Sequence, residues 1–228
     1  MYSQQDQLKQ MAAQAAIDFI SPHLLPDMIL GIGTGSTADL FIDALGGLNS
    51  KFKGAVASSE RSAARLKSVG ITVFDLNDVS SIRFYIDGAD EINPQLEMIK
   101  GGGGALTREK IVASVAQTFV CIVDESKCVD TLGKFPLPIE VIALSTQAVM
   151  RWTTIQGGQP KLRPDYQTDN GHPIIDVAGL SITDAKGLES ALDHVAGVVT
   201  NGLFALRSAD VAMVATPNGV HTLLKPAI

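Results

Sequence analysis

The segment MIKGGGGALTREK, residues 98–110, places four consecutive glycines between a lysine and a glutamate. Glycine has no side chain, so a ligand can approach this backbone more closely than it could approach other residues. Lys100 can neutralise an anion, and Glu109 can carry a proton. Linkers usually have polar flanks, whereas these glycines lie between an apolar stretch and an amphipathic helical pattern. The segment therefore indicates a catalytic loop and not a tether.

A second loop, GIGTGST (31–37), follows a predicted strand and opens a predicted helix. Small residues there allow backbone N–H groups to point into a concavity, where the helix dipole adds positive potential. With the hydroxyl groups of Ser36 and Thr37, this indicates an anion site, above all for phosphate. The lysine of a Walker A motif is missing. The dinucleotide fingerprint needs glycine where Ser36 stands, so NAD binding, with Glu60 as the ribose-binding acid, is a weak alternative.

The third loop, DGADEI (87–92), comes at the end of a predicted strand. In an open parallel sheet the ligand crevice lies at the carboxyl ends of the strands. Asp87 and Asp90 could both face one small ligand across the tight turn between them. An ordinary acidic turn and a divalent metal site are the alternatives. Because none of the four histidines lies near these aspartates in the sequence, we expect no required metal.

Together the three loops supply an anion cradle, two aspartates, a lysine and a glutamate. Groups of this kind suit proton transfer next to a carbonyl on a phosphorylated sugar.

The elements that must position these loops alternate along the first part of the chain. Strands are predicted at MILGIG (28–33), GAVAS (54–58), TVFDL (72–76), RFYIDGAD (83–90) and FVCIVDE (119–125), and helices at STADLFIDAL (36–45), ERSAARLKSVG (60–70) and LTREKIVASVAQ (106–117). This alternation, with continuously apolar strands, predicts a mostly parallel sheet covered by helices.

The pattern changes near LGKFPLPIEVI, where two prolines interrupt the rhythm. Strand candidates then cluster at 137–142, 174–180 and 198–204, with helices near 146–156 and 185–194. This predicts a compact α+β unit inserted near the C-terminus. Residues 210–216, DVAMVAT, return to the buried-strand pattern and should re-enter the first sheet. The expected domains are residues 1–132 with 205–228, and residues 133–204.

Composition narrows the functional classes. The chain has 228 residues, is 46% hydrophobic and carries a net charge of −6, so it can bury a core but lacks the basic face that nucleic acid requires. No apolar run reaches the roughly 18 residues needed to span a bilayer, and the N-terminus does not resemble a signal peptide. Two cysteines are too few for a disulfide framework. We therefore expect a cytoplasmic protein without nucleic-acid or membrane partners.

The motifs together closely resemble one family over nearly the whole chain. They are GTGST (33–37), DGADEI (87–92), KGGGGALTREK (100–110), DESK (124–127) and KFPLPIEV (134–141), extended by TDNG (168–171) and GVVTNGLF (197–204). The family is ribose-5-phosphate isomerase, type A. The resemblance implies interconversion of ribose 5-phosphate and ribulose 5-phosphate in the pentose phosphate pathway. It also implies a cofactor-free reaction, an α/β Rossmann-like sheet with helices on both faces, a smaller ferredoxin-like domain, and a homodimer or homotetramer.

The resemblance also implies a role for each site residue. Glu109 would be the acid/base, Lys100 would support the developing oxyanion, and Asp87 and Asp90 would handle ring opening and sugar hydroxyls. The substrate-binding residues implied are Thr34, Gly35, Ser36, Thr37, Asp87, Gly88, Ala89, Asp90, Lys100, Gly101, Gly102, Gly103 and Lys127. Lys9 as a further phosphate contact stays open, because the stretch ISPHLLPDMILG (20–31) is longer than the usual turn of the family.

The chemistry of such an isomerisation agrees with these residues. Moving a carbonyl from C1 to C2 requires removal of a proton from C2 and return of one to C1. One carboxylate near both carbons can do both, and a positioned cation can stabilise the negative charge on oxygen. No nicotinamide is needed because there is no net redox change.

Two other functions use a similar cradle. A sugar-phosphate deaminase of the same broad fold would need a group suited to ammonia release, and no histidine lies among the three loops. A non-catalytic sugar-phosphate sensor would ordinarily carry a DNA-binding module, for which the first 27 residues are too few. A sensor could also dispense with Glu109.

Overall fold

The computed structural model describes residues 3–226, and the chain divides into two compact units. The first unit contains Met1–Gly88, Arg108–Lys127 and Ala209–Ile228, and the second contains Ala89–Thr107 and Cys128–Ser208. This division by compactness groups residues 89–107 with the second unit. The domain boundaries expected from the sequence stay a prediction.

Six helices and thirteen strands are described within residues 3–226. In chain order they are α1 (Gln4–Ile20), β1 (Ile29–Ile32), α2 (Ser36–Leu45), β2 (Gly54–Ala57), α3 (Glu60–Ser68), β3 (Ile82–Asp87), β4 (Glu91–Ile92), β5 (Met98–Ile99), α4 (Leu106–Val115), β6 (Ala116–Asp124), β7 (Leu137–Val141), α5 (Thr146–Ile155), β8 (Gln159–Leu162), β9 (Ile174–Ala178), α6 (Ala185–Asp193), β10 (Val198–Asn201), β11 (Leu203–Phe204), β12 (Val211–Thr216) and β13 (Gly219–Leu224). None of the described helices is long and apolar enough to cross a membrane.

The first unit is built on a six-stranded sheet in the order β13-β12-β6-β3-β1-β2. Every neighbouring pair is parallel except β12 and β13, which form an antiparallel hairpin. The predicted return of residues 210–216 to this sheet is confirmed, since β12 pairs with β6 in parallel register. The five parallel strands are almost entirely buried because helices cover them, which explains their continuous apolar sequences.

Helices lie on both faces of this sheet. On one face, α1, α2 and α3 share a core with alternate strand residues such as Leu30, Phe84 and Val120. On the other face, α4 brings Val112 so close to Gly31 that a Cβ at Gly31 would lie 2.8 Å from it. The α/β Rossmann-like fold is therefore confirmed.

The second unit contains a four-stranded antiparallel sheet with the order β10-β7-β9-β8. Its chain order β7-α5-β8-β9-α6-β10 is the β-α-β-β-α-β pattern of ferredoxin-like folds. Alternate residues of β7 and β9 pack with α5 and α6 in one hydrophobic core. The neighbouring residues of both strands point to the opposite face, which carries Glu140 and Asp176. A separate three-stranded sheet joins β4, β5 and β11.

Several predicted elements differ from the structure. TVFDL (72–76) was expected to be a strand, but only Val73 forms a bridge, to Ala55, and a short 3-10 helix begins at Leu76. The helix expected over 106–117 ends at Val115, since the chain turns into β6 at Ala116.

Candidate active site

The carboxyl ends of three neighbouring parallel strands carry most of the first unit's candidate residues. In the sheet order β6-β3-β1, strand β1 leads into the loop 33–37, β3 ends at Asp87, and β6 leads into the short 3-10 helix Glu125–Lys127. Parallel strands end at the same edge of a sheet, so these groups share one edge. Lys127 is half-buried there.

The loop 33–37 is held by hydrogen bonds to serines at the junction of β2 and α3 and in the first turns of α3. The Thr34 hydroxyl lies 2.9 Å from that of Ser58 and donates to that of Ser59 at 2.8 Å. Ser62 in turn donates to the Gly33 carbonyl at 2.7 Å. Gly35 is the N-cap of α2 and has φ of 124°, which favours glycine. Ser36, the first residue of α2, is exposed. The loop thus presents the N-terminus of a ten-residue helix to an anion.

Asp87 is completely buried, and its carboxylate accepts hydrogen bonds from both of its sides. The backbone N–H groups of Thr34 and Gly88 donate to its Oδ1 at 3.1 and 2.7 Å, and the Tyr85 hydroxyl donates to its Oδ2. A Cβ at Gly33 would lie 1.9 Å from the carboxyl carbon of Asp87. Glycine at position 33 is therefore required for the predicted proximity of the first loop and this aspartate.

Glu109 lies in the first turn of α4 and is 3% exposed. Its charge also acts on Tyr85. Burial raises the pKa of Tyr85 well above its usual value, and the negative charges of Asp87 and then Glu109 raise it further. Tyr85 therefore stays a neutral hydrogen-bond donor to the Asp87 carboxylate.

The second unit holds Asp90 and the four glycines. Asp90 is half-buried, and its Oδ2 accepts the backbone N–H of Gly102 at 2.8 Å. Gly101 has φ of 102° and Gly104 has φ of 79°. The Gly104 N–H donates to the Gly101 carbonyl at 2.9 Å, which closes the glycines into a tight turn. Gly103, at its tip, is exposed.

Lys100 is 3% exposed although it carries an ammonium group. Its backbone N–H donates to the Gly202 carbonyl at 2.8 Å, and its ammonium nitrogen lies 5.5 Å from the centre of the Phe204 ring. A cation above an aromatic face is stabilised by the ring quadrupole. These contacts hold the positive charge in a defined place at the start of the glycine turn.

Sequence reasoning missed two side chains that contact the glycine turn. Arg163 donates to the carbonyls of Gly101 and Gly102, and Tyr166 donates to the carbonyl of Gly103. Both residues follow β8, some sixty positions later in the chain. No periodic pattern marks such contacts, so only the fold reveals them.

A second missed feature is the buried carboxylate of Glu140 on β7. It accepts hydrogen bonds from Thr107, at the start of α4, and from Thr168 and Asn170, and it pairs with His172 at 2.9 Å. The motif TDNG thereby holds the beginning of the helix that carries Glu109. Within residues 3–226, no group of three or more His, Cys, Asp or Glu side chains is arranged to hold a metal ion.

The fold and these groups define a class of protein: an α/β protein with an anion loop at a helix N-terminus, buried carboxylates and a buried lysine. The family model described as ribose 5-phosphate isomerase A (phosphoriboisomerase A) matches residues 54–219. Ribose-5-phosphate isomerase A of Bordetella petrii is 61% identical over 222 residues, which cover 97% of this chain and 99% of that protein. The Bordetella bronchiseptica protein of the same name is 60% identical, covering 96% and 97%.

Solved structures of ribose 5-phosphate isomerases are also similar to this chain. Ribose 5 phosphate isomerase A from Neisseria gonorrhoeae superposes with a TM-score of 0.94 at 45% identity, covering 100% of both chains. A D-ribose-5-phosphate isomerase in complex with phospho-erythronic acid gives 0.91 at 37% identity, covering 97% of this chain and 100% of that one. The chain belongs to the ribose 5-phosphate isomerase A family.

Proposed function

We propose that this chain is an aldose-ketose isomerase that interconverts D-ribose 5-phosphate and D-ribulose 5-phosphate. The observation that carries this function is the 61% identity to ribose-5-phosphate isomerase A of Bordetella petrii over almost the full length of both chains. The groups expected from the chemistry are also present, because a buried carboxylate at Glu109 and a buried ammonium at Lys100 are both retained. The reaction belongs to sugar-phosphate metabolism.

Glu109 is the proposed proton carrier. Its carboxylate takes the proton from C2 of the open-chain aldose, and the electrons of that C–H bond form the C1–C2 double bond of an enediolate. The electrons of the C1 carbonyl bond move onto O1 as this double bond forms, and the proton of the C2 hydroxyl then passes to O1. The Glu109 carboxyl, whose proton exchanges in part with solvent, returns a proton to C1, while the oxygen on C2 becomes the carbonyl. Atoms and charge balance without a redox partner. The 3% exposure of Glu109 limits competition from water for this proton.

Lys100 stabilises the oxygen that becomes negative during these transfers. Preorganised charge of this kind acts strongly where water is excluded, and the buried ammonium needs no reorganisation when the charge develops. Support for this role comes from the contact with Phe204, which restrains the ammonium.

Asp87 and Asp90 are proposed to bind the sugar hydroxyls and to assist ring opening. Ring opening moves a proton from the C1 hydroxyl to the ring oxygen, so a carboxylate that can accept and return a proton assists it. Gly88, Ala89, Gly101, Gly102 and Gly103 are further proposed substrate-binding residues.

Thr34 to Thr37 are proposed to bind the phosphate, with Lys127 as a further contact. The helix N-terminus supplies N–H groups and a positive dipole, and Gly35 leaves its surroundings open, since no heavy atom lies within 4 Å of a Cβ placed there. The wider proposal is a cofactor-free cytoplasmic enzyme that forms a homodimer or homotetramer and does not bind nucleic acid.

The direct test is to incubate the purified chain with ribose 5-phosphate and to measure ribulose 5-phosphate by NMR. We expect conversion in both directions, unchanged after exhaustive chelation. Phospho-erythronic acid should inhibit it, because its planar carboxylate resembles the planar enediolate. Binding of ribose 5-phosphate without conversion would instead support a sensor, and ammonia release from an amino sugar phosphate would support a deaminase. Loss on chelation with rescue by one divalent ion would overturn the cofactor-free mechanism.

A further inference from the structure

Arg163 is held rigidly within the second unit. It follows β8 directly, and its Nε and Nη2 donate to the two carboxylate oxygens of Asp176 on β9 at 2.9 and 2.7 Å. Its side chain is 15% exposed. A bidentate pair fixes the plane of the guanidinium group as well as its position. The remaining donors of Arg163 therefore point in a fixed direction.

The remaining donors of Arg163 face the glycine turn, residues 101–104. Nη1 of Arg163 donates to the Gly102 carbonyl at 3.2 Å, and Nη2 donates to the Gly101 carbonyl at 3.3 Å. Glycine residues have the largest conformational freedom in the chain, so this turn needs partners elsewhere to hold one conformation. Arg163 supplies such partners to two consecutive peptide groups.

The geometry of a peptide group carries this restraint to the other side of the turn. A peptide bond is planar, and in the trans form its C=O and N–H point in opposite directions. The peptide between Gly101 and Gly102 has its carbonyl on Arg163 and its N–H on the Asp90 carboxylate, at 2.8 Å. The next peptide has its carbonyl on Arg163 too, so the Gly103 N–H points away from the guanidinium group.

We propose that Arg163 is a positioning residue of the isomerase, a role that rests on the proposed function. By holding the carbonyls of Gly101 and Gly102, it keeps the Gly102 N–H on Asp90 and so fixes the orientation of that carboxylate. Arg163 itself does not touch the substrate. Asp176 contributes to this positioning, because its bidentate pair with Arg163 fixes the plane of the guanidinium group.

The main variant is Arg163→Gln, compared with Arg151→Gln, which removes an exposed arginine from α5 of the same unit. Misplacement of a site by about 1 Å can cost about 10²-fold in rate, so Arg163→Gln should lower kcat by about that factor. KM should change by less than about threefold, since the phosphate contacts lie elsewhere. Arg163→Lys keeps the charge but not the planar fork, so it should recover only part of the loss. Arg151→Gln should match the parent.

A double-mutant cycle with Asp90→Asn separates positioning from general support of the fold. If Arg163 acts through Asp90, then Arg163→Gln should slow the Asp90→Asn enzyme by no more than about threefold, far less than it slows the parent. Equal losses in both backgrounds would overturn the proposal, as would a folded Arg163→Gln enzyme with parental kcat. Should Arg163→Gln fail to fold by circular dichroism, Arg163→Lys is judged by the same criteria, with a fall of about tenfold expected. The activity of the parent is read first, so failure of the isomerase function is distinguished from failure of this role.

Discussion

The two glycine-containing loops of the proposed site are held in opposite ways. The loop 33–37 is held through its own residue Thr34. The Thr34 side chain bonds to Ser58 and Ser59, which lie between β2 and α3, and the Thr34 backbone N–H bonds to Asp87. The turn 101–104 has no side chains at all, and its carbonyls are held by Arg163 and Tyr166. The first loop is therefore held partly through its own Thr34 side chain, whereas the carbonyls of the second turn are held by side chains about sixty positions later in the chain.

This difference has a functional consequence. A loop that bonds through its own side chains tolerates little change in its surroundings, and it suits an anion site that needs one fixed geometry. A turn of bare glycine leaves its inner surface open to the substrate while a separate clamp restrains its outer side. We expect substitutions in the first loop to damage the fold around Asp87 as well as the phosphate site. A side chain added to the second turn should mainly obstruct the approach of the substrate.

The largest expected contrast is between Gly33→Ala and Gly103→Ala. A Cβ at Gly33 would lie 1.9 Å from the carboxyl carbon of Asp87, so this buried residue must move. We expect a loss of about 1–3 kcal/mol in the free energy of unfolding and at least about 10²-fold in kcat/KM. A Cβ at Gly103 meets no heavy atom within 4 Å, so Gly103→Ala should change stability by no more than about 0.5 kcal/mol but raise KM.

Urea unfolding and steady-state kinetics on both variants check this contrast. Equal stability losses in the two variants would remove the distinction between the loops. A Gly103→Ala enzyme with parental KM would show that the substrate does not approach this turn.

Much of the architecture could be predicted from the sequence, because local signals mark it. The helix 36–45 was predicted with its observed bounds, since Gly35 breaks the preceding strand and apolar residues recur at helical spacing. Helix α1 was not predicted, although Ser3 and Asp6 form a capping box at its start. Strand β13 was also missed, because it is an edge strand with mostly exposed side chains.

The roles of the candidate site residues stay predictions. The candidate residues could be selected from the sequence because of the spacing of their motifs and their position at strand ends. The pair of Arg163 and Asp176 that holds the glycine turn has no such signal in the sequence, because these residues come together only when β8 pairs with β9. The prediction of a strand at TVFDL was wrong for a related reason. β-Propensity alone does not supply a pairing partner, and within this segment only Val73 forms a bridge, to Ala55.

A smaller difference in stability is expected between two tyrosine variants, because Tyr85 bonds to Asp87 beside the first loop and Tyr166 bonds to the glycine turn. Tyr85→Phe removes a buried donor to the Asp87 carboxylate and should cost roughly 1.5–3 kcal/mol of unfolding free energy. Tyr166→Phe removes a donor to the Gly103 carbonyl and should cost only about 0.5–1.5 kcal/mol, since its ring still covers Gly104. Chemical unfolding at neutral pH measures both, and a larger loss in Tyr166→Phe would contradict the comparison.

The pH dependence of stability adds a second measurement on the same variants. The pKa of Tyr85 is raised well above 10.0 in the folded protein, so the folded chain keeps this phenol neutral while the unfolded chain ionises. The stabilising contribution is complete below about pH 10 and is lost as pH rises from there through the folded pKa. Tyr85→Phe should remove this part of the alkaline decline, and Tyr166→Phe should retain it.

The central claim is that Glu109 carries the proton between C2 and C1. Glu109 and Glu60 both lie in the first turn of a helix, but Glu109 is buried and the side chain of Glu60 is 74% exposed. Glu60→Gln is therefore the matched control for an exposed first-turn carboxylate, which interacts with a helix dipole, a contribution of about 0.3–1 kcal/mol, and pairs with Arg108 at 2.8 Å.

The decisive measurement is turnover of ribose 5-phosphate in deuterated water by the parent, Glu109→Gln and Glu60→Gln, with circular dichroism confirming each fold. The parent and Glu60→Gln should convert the sugar at similar rates and should incorporate solvent deuterium, at least in part, at the exchanged carbon. Glu109→Gln should be slower by at least about 10²–10⁴-fold and should incorporate none. A folded Glu109→Gln enzyme with near-parental turnover and deuterium incorporation would contradict the account and leave the two aspartates as the bases to test.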